Sequence, residues 1–285
     1  MLGFCDQLQH SSVLLTRLQD VFDAEPEQDA DTKRLRAVSK LEGRVRLRRV
    51  GFAYPATPDR PVVQDVTLDV EPGTTVALVR RSGSGKATLA KCIAGLLLPS
   101  SGTIEFDGVK LRDLRLPELR RRIGFVLQDS YVFSDTIAVN LALGEEHPDP
   151  AAVRAATEDA NAAEFIERLP LGYDTPIGDS GMGLSGGQAQ RIVIAPAVYH
   201  RPPVLVLDEA TSSLDAESER AVTENLQRLL LGRTAFIVAH RLSTIRSADV
   251  IAALEQGRLV EIGSHDELMA RRGLYFHLHS HGLTD

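Results

Sequence analysis

The stretch that decides the fold runs from Thr75 to Thr88 and reads TVALVRRSGSGKAT. Its first part, Thr75 to Val79, is an almost continuous apolar run, which is typical of a strand buried on both faces of a parallel sheet. The glycines and serines from Ser82 to Gly85 then predict a tight loop. We expect the helix that follows to continue to about Leu97. The segment therefore predicts a strand, a glycine-rich loop and a helix in direct succession.

A second segment far along the chain complements the first. Val204 to Asp208 reads VLVLD and predicts another buried strand, which Glu209 follows directly. Two carboxylates at the end of one strand and Lys86 at the end of a glycine-rich loop favour a nucleoside triphosphate site. Backbone N–H groups and Lys86 would hold the phosphates, Asp208 would hold magnesium, and Glu209 would act on water.

Further strands and helices alternate along the chain. Alternating apolar residues predict two half-buried strands, one that begins at Val45 and one that ends at Val70. The residues from Thr234 to Ala239 predict a buried strand. A hairpin is predicted at Gln256 and Gly257, and a capping box at Ser264 predicts a last helix. We therefore predict an α/β fold with a P-loop NTPase core, in which a mainly parallel sheet is joined by an antiparallel β subdomain and a helical insert.

The pattern divides the chain into an N-terminal segment, residues 1–40, and a globular domain, residues 41–285. The first contains an amphipathic helix from about Ser11 to Phe22 and an acidic linker. This helix is either a frayed extension or the remnant of a junction with a membrane domain, and both readings stay open. The alanine-rich stretch that opens with Asp149 and Pro150 predicts helices, so a helical subdomain is expected over about 114–187.

Composition narrows the possible partners. The 285 residues carry a net charge of −7, which disfavours a general nucleic-acid-binding surface. Cys5 and Cys92 match no metal-binding spacing and are interpreted as buried apolar residues in a reducing compartment. Neither a signal peptide nor an apolar run of the ~20 residues needed to span a membrane is evident. A role at a membrane would therefore depend on another chain or domain.

One further motif indicates which protein family the chain resembles. Leu184 to Gln188 reads LSGGQ and predicts a helix whose N-terminus, at Ser185, would bind an anion. With this motif the chain resembles the nucleotide-binding domain of ATP-binding cassette (ABC) transporters of the exporter type. The resemblance covers about Val45 to Leu278 and depends on several motifs in a fixed order.

The resemblance implies ATP as the nucleotide and Mg²⁺ as its metal, with roles for matching residues. Tyr54 would stack on the adenine, and Gln128 and Asp208 would contact magnesium. Glu209 would be the general base and His240 would contact the γ-phosphate. The residues expected to contact the nucleotide are Tyr54, Arg80, Arg81, Ser82, Gly83, Ser84, Gly85, Lys86, Ala87, Thr88, Gln128, Ser185, Gly186, Gly187, Gln188, Asp208 and Asp215.

The resemblance also implies partners. Two ATP-binding domains would pack head to tail as a homodimer or heterodimer, so that Ser185 of one completes the site of the other. The domain would lie at the cytoplasmic face of the cell membrane, bound to the transmembrane part of an exporter. Closure on ATP and reopening after hydrolysis would then drive transport.

Three positions depart from the family pattern. Arg80 stands where the phosphate loop normally begins with glycine, and Ala87 stands where a hydroxyl normally binds magnesium. Pro196 interrupts the helix that begins after Ser185, and a kink there is expected to misdirect that serine. We expect slow hydrolysis as a result. The alternative is an ATP-binding regulatory subunit with impaired hydrolysis, or a truncated copy without function.

Overall fold

The computed structural model divides into two compact units, residues 1–36 and 37–285. In the first unit residues 15–19 are helical, and the backbone N–H of Asp23 donates to the carbonyl of Gln19 at 2.8 Å. In the second unit the structure describes residues 37–79, 85–127, 130–143, 145, 147–178, 183–208, 227–238 and 242–281. In the first it describes residues 15–19, 22–23, 26–28 and 34–36.

Ten strands of the described residues form two sheets in the second unit. They are β1 Val45–Phe52, β2 Val63–Val70, β3 Thr75–Val79, β4 Ser101–Phe106, β5 Val109–Lys110, β6 Ile123–Val126, β7 Val204–Asp208, β8 Thr234–Val238, β9 Val250–Glu255 and β10 Arg258–Gly263. One sheet has the order β2-β1-β4-β5 and is antiparallel. The other has the order β10-β9-β3-β8-β7-β6, and only β10 runs antiparallel to its neighbour. The predicted α/β fold with a mainly parallel sheet and an antiparallel β part is confirmed.

Nine α-helices of the described part of this unit connect the strands or follow the last of them. They are α1 Lys86–Ile93, α2 Leu116–Arg120, α3 Ile137–Leu141, α4 Pro150–Asp159, α5 Ala163–Glu167, α6 Gly186–Val198, α7 Leu242–Arg246, α8 His265–Arg271 and α9 Leu274–His281. The predicted caps are confirmed, because the Asp149 side chain accepts from the N–H of Ala151 and Ser264 forms a capping box with Glu267.

Helix α1 is shorter than the sequence predicted. It ends at Ile93 rather than near Leu97. The backbone N–H groups of Leu96 and Leu97 both donate to the carbonyl of Lys91, so the chain turns tightly instead of continuing the helix. The apolar residues beyond the helix end had suggested a longer element.

The stretch predicted as a helical subdomain, 114–187, is not entirely helical. It includes β6, which pairs in parallel with β7 and so belongs to the main sheet. The helices α3, α4 and α5 follow β6, and α3 and α4 both pack against α6.

The main sheet separates two hydrophobic cores. Along β3, Ala77 and Val79 face one core, whereas Val76 and Leu78 face the other. Successive side chains of a strand point to opposite faces, so a strand covered on both sides must be apolar throughout. Burial on both sides explains the continuous apolar run from Thr75 to Val79.

Thr234 links the segments around Gly43 and Gly73 through two hydrogen bonds. Its fully buried hydroxyl donates to the carbonyl of Gly43 at 2.7 Å and accepts from the N–H of Gly73 at 3.0 Å. Buried backbone groups without partners cost free energy because their hydration is not replaced. The hydroxyl therefore satisfies two backbone groups from segments that are far apart in the sequence.

Replacing Thr234 with the isosteric valine is expected to lower the free energy of unfolding by about 2–3 kcal/mol. Urea unfolding of the variant would measure this loss. Thr67→Val is the matched control, because the Thr67 hydroxyl also accepts a backbone N–H, that of Arg49, but lies on an exposed strand position. Equal losses in the two variants would contradict the role assigned to Thr234.

Candidate functional site

The carboxyl ends of four adjacent parallel strands lie at one edge of the main sheet. The strands β3, β6, β7 and β8 run parallel, so their carboxyl ends lie at the same edge. Leu78, Val238 and Asp208 occupy one row across β3, β8 and β7. Neighbouring strands lie about 5 Å apart, so Leu78 and Asp208 are separated by about 10 Å. Ligands of parallel α/β sheets bind at this edge.

Gly85 brings the chain from the phosphate loop into α1. It is the N-cap of that helix and has φ 85° and ψ 7°, a left-handed conformation. A Cβ atom at this position would lie only 2.4 Å from the carbonyl oxygen of Val62. Both the backbone angle and the space therefore require glycine.

The first turn of α1 carries the residues predicted to contact phosphates. Lys86 and Thr88 are both buried, each with 6% of its surface exposed, and Ala87 lies between them. Helix α1 packs against β7 and β8. The helix that begins with Lys86 thus lies against the strand that ends in Asp208.

Asp208 is the last residue of β7 and is only 2% exposed. A buried carboxylate at the carboxyl edge of a parallel sheet is the kind of ligand that magnesium takes in triphosphate sites. Ala87 offers no oxygen, so the side chain that follows Lys86 contributes nothing to such a metal. Asp208 fits the implied Mg²⁺ site, and position 87 does not.

Tyr54 lies beside the start of α1. Its hydroxyl and that of Thr88 are 3.2 Å apart, within hydrogen-bonding distance. Its ring packs edge-on against Phe52, with 5.0 Å between centroids, and 39% of the residue is exposed. The structure therefore brings together Tyr54, Gly85, Lys86, Ala87 and Thr88.

The serine-glycine motif opens α6 as predicted. Ser185 is the N-cap, and its side chain accepts from the N–H of Gln188 at 3.3 Å. The Gln188 side chain accepts in return from the N–H of Ser185 at 2.9 Å, which completes a capping box. Ser185 and Gly186 are exposed and Gly187 is buried, so the helix end is open to a ligand from outside.

Pro196 does not disturb this cap. It lies in the last turn of α6, which ends at Val198, and the helix is continuous from Gly186. The expectation that Pro196 would misdirect Ser185 is therefore not supported, because the missing N–H falls at the opposite end of the helix.

The guanidinium of Arg191 lies 5.3 Å from the ring of Phe165 and links α6 to α5.

The two capping boxes provide a matched pair of variants. Ser185→Ala and Ser264→Ala should each lower the free energy of unfolding by about 1 kcal/mol, because each removes one N-cap acceptor. On the expectation that Ser185 of one copy completes the ATP site of another, only Ser185→Ala should weaken ATP-dependent self-association, which sedimentation velocity would measure. Similar losses of self-association in both variants would show that the effect comes from stability alone.

The remaining candidates lie outside the described residues. They are Arg80, Arg81, Ser82, Gly83, Ser84, Gln128, Glu209, Asp215 and His240. Several of them follow the strands already described: Arg80 follows β3, Glu209 follows β7, and Gln128 and His240 follow β6 and β8 after one intervening residue. Their placement remains a prediction.

Sequence reasoning missed an exposed apolar face on the helical side. Tyr131, Phe133, Val139 and Leu143 are all exposed, and the rings of Tyr131 and Phe133 lie 4.9 Å apart. A pocket of about 320 Å³ beneath them is lined by residues of β6, α3 and α6, including Pro196. The aromatic pair in the sequence YVF was the available signal. We name these four exposed residues the aromatic face.

The described residues offer neither a membrane-spanning helix nor a cluster of three or more metal-ligating side chains. No described helix is both long enough and apolar enough to cross a bilayer. Among the same residues, no group of three or more histidine, cysteine or acidic side chains is placed to hold a metal.

Burial raises the pKa of the Cys92 thiol to about 12, which agrees with its interpretation as an inert core residue.

Comparison with known proteins agrees with this geometry. Residues 63–212 match the family model described as ABC transporter. The chain is 46% identical over 276 residues to an ATP-dependent lipid A-core flippase of Thiobacillus denitrificans, covering 96% of this chain and 47% of the relative. It is 44% identical over 253 residues to ABC transporter B family member 21 of Arabidopsis thaliana, covering 89% of this chain and 20% of that relative.

A solved structure gives the same result. A bacterial Atm1-family ABC exporter with ATP bound superposes with a TM-score of 0.84 at 37% identity, over 96% of this chain and 47% of that one. The chain thus spans about half the length, or less, of the relatives it matches. It belongs to the ABC transporter family, and its fold is that of the ATP-binding domain of the family's exporters.

Proposed function

We propose that this chain binds and hydrolyses ATP as the motor part of an exporter. The observation that carries the proposal is that the helix beginning with Lys86 packs against the strand ending in Asp208. Lys86 and the backbone N–H groups that begin α1 neutralise and orient the phosphates. Glu209, which directly follows Asp208 in the sequence, accepts a proton from the attacking water.

When bound, magnesium would supply positive charge that neutralises the phosphates. Asp208 is the described residue that would hold it, and Gln128 is the second candidate from the sequence. Position 87 lacks the oxygen that would complete the protein's share of ligands. Hydrolysis by this chain is therefore proposed to be slow.

Two copies of the domain, or this domain and a related one, enclose the nucleotide. The Ser185 helix end is exposed and capped, so its partial positive charge is available to a phosphate brought by a second subunit. Each ATP is then held between Lys86 of one subunit and Ser185 of the other. Binding closes the dimer, and hydrolysis allows it to open.

The membrane partner is proposed to bind at the aromatic face. Its two neighbouring aromatic rings are exposed, and aromatic residues are enriched at protein interfaces. The first residue of the face, Tyr131, follows the end of β6 after four residues, so a shift at the ATP-binding edge of that strand reaches it through a short segment of chain. The domain would then act at the cytoplasmic side of the membrane.

A second candidate function is supported by Ala87. A domain that binds ATP without efficient hydrolysis can hold a heterodimer closed while a partner subunit performs the turnover. The missing oxygen at position 87 and Arg80 at the start of the loop favour this reading, whereas Glu209 and His240 favour hydrolysis. Steady-state turnover of the isolated chain distinguishes the two.

Calorimetric titration of the purified chain with ATP and Mg²⁺ tests the proposal. We expect Lys86→Met to weaken ATP binding at least about tenfold, because a desolvated charge on the phosphates is lost. Lys91→Met, in the last turn of the same helix, is the control and should leave affinity unchanged. A folded wild-type chain without affinity for ATP would refute the proposed function.

A further inference from the structure

The last two helices bring two histidine side chains together. His265 is the first residue of α8, and His279 lies in α9, whose eight residues read LYFHLHSH. Short histidine-rich tracts of this kind are typical of metal binding. The ring centroids of His265 and His279 lie 5.4 Å apart, with 54° between the ring planes. An imidazole of one helix therefore lies beside an imidazole of the histidine-rich helix.

This spacing suits two imidazoles bound to one metal ion. A zinc–nitrogen bond is about 2 Å long, so the centre of each ring lies about 3 Å from the metal. Two such rings at a tetrahedral angle have their centres about 5 Å apart. The observed 5.4 Å is close to that value. Packing between rings alone allows a similar distance, so the case also depends on how the two rings are held.

Tyr275 holds the His265 ring by one of its two nitrogens. The Tyr275 hydroxyl lies 2.7 Å from Nδ1 of His265, and the tyrosine is only 1% exposed. Burial raises the pKa of this hydroxyl more than the charge of Arg246 lowers it, so the tyrosine stays neutral. A neutral phenol oxygen can accept from Nδ1–H, which leaves Nε2 to a metal. Metal-binding histidines almost always have such a partner on their second nitrogen.

Packing and one carboxylate fix the two helices relative to each other. Leu268 of α8 and Leu278 of α9 lie in the same hydrophobic core, and neither is more than 2% exposed. The carboxylate of Glu261, in the neighbouring strand β10, accepts from the N–H groups of Leu274 and Tyr275 at 2.8 and 2.9 Å. The two histidines themselves are half-buried. A pair held in this way needs little rearrangement to bind an ion.

We infer that His265 and His279 bind a divalent transition-metal ion of the zinc and copper class, which joins α8 to α9. Neutral imidazole suits zinc, copper and nickel, whereas magnesium prefers oxygen ligands. Two protein ligands leave the remaining coordination positions to water, so the ion exchanges with free metal. The inference does not depend on the proposed function, because it uses no residue of the candidate ATP site.

Zinc titration of the full chain tests the inference. The chain is purified without a polyhistidine tag and freed of metal by chelation, and calorimetry should then show zinc binding. Zinc at ten times its dissociation constant should raise the midpoint of thermal unfolding by about 3 °C, because it binds the folded state. Magnesium at the same concentration, without nucleotide, should give no such shift.

Substitutions at the pair and beside it locate the ion. His279→Asn should weaken zinc binding at least about tenfold, because one of two ligands is lost, and His265→Asn should do the same. His277→Asn makes the same change at an exposed position of α9 and should leave affinity within about twofold. Tyr275→Phe keeps both ligands but removes the oxygen beside Nδ1, and should weaken binding about tenfold.

Three results would overturn the inference. The first is a folded chain that does not bind zinc. The second is zinc binding that His279→Asn and His265→Asn leave unchanged. The third is an equal loss in His277→Asn, which would assign the ion to the exposed surface of α9. Circular dichroism without metal checks that each variant is folded, and either variant of the pair suffices if the other is not.

Discussion

Replacing Ala87 with serine is expected to raise the steady-state rate of ATP hydrolysis about a hundredfold. The substitution adds one hydroxyl to the second residue of α1, next to Lys86, where the chain now has no oxygen. A hard oxygen ligand to magnesium positions the phosphates in the transition state, and a contact of this kind is worth about 2–4 kcal/mol. A gain of that size corresponds to roughly two orders of magnitude or more in rate.

Ala87→Cys is the matched control for this gain. Cysteine adds a similar volume at the same position but a soft sulfur instead of an oxygen, and magnesium prefers oxygen ligands. The cysteine variant should therefore hydrolyse ATP at the wild-type rate. Phosphate release measured over a range of magnesium concentrations would follow both variants.

Our interpretation of position 87 would be wrong under one outcome. The unaltered chain would hydrolyse ATP at the rates common among transport ATPases, and Ala87→Ser would add nothing. Such a result would mean that water, or a residue outside the described ranges, already completes the metal site.

Gly85→Ala is expected to destabilise the fold by about 3 kcal/mol and to abolish measurable ATP binding. Alanine is strained at φ 85°, and its Cβ would lie 2.4 Å from the carbonyl oxygen of Val62. Relief of that contact requires movement of the backbone next to Lys86. We therefore expect loss of the phosphate site together with loss of stability, measured by urea unfolding and calorimetry.

Two other glycines separate these effects. Gly257 also has a positive φ, 79°, and its added Cβ would meet the same Val62 oxygen at 2.4 Å, but it lies in the β9–β10 hairpin. Gly73, at φ 81°, has no atom within 4 Å of an added Cβ. Gly73→Ala should cost about 1 kcal/mol, and Gly257→Ala should cost as much as Gly85→Ala while retaining ATP binding.

The comparison among the three variants decides the interpretation of Gly85. Loss of ATP binding in Gly257→Ala at a similar stability would indicate that destabilisation alone removes the site. Retained binding in Gly85→Ala would indicate that the loop tolerates a shifted backbone and that Gly85 serves packing only.

Much of the candidate site was predictable because its signals are local. The strand β3 and the turn to Lys86 lie within one stretch of sequence, and the capping box needs only Ser185 and Gln188 three positions apart. Strand β7 is likewise a single apolar run ending in Asp208. Short-range periodicity and side-chain chemistry fix such elements before any tertiary contact forms.

Other parts could not be predicted because they depend on long-range pairing. Strand β6 has only four residues, too few for a reliable pattern, and it is a strand because it pairs with β7, far away in the sequence. The position of Pro196 near the end of α6 was set by where the helix stops, which packing against β6 and α3 decides. The aromatic face depends in the same way on the folded arrangement of α3.

The sequence alone determined which chemical groups are proposed to act on ATP: the Lys86 turn, the Asp208 strand end, the Ser185 helix end, and the absence of a side-chain oxygen at Ala87. Tertiary structure alone decided their setting, through the row that aligns Asp208 with β3, the closeness of Gly85 to Val62, and the bond from Tyr54 to Thr88. Local motifs predict backbone conformation and show which side chains are present. Contacts between distant segments depend on sheet register and burial, and these are determined by the whole chain.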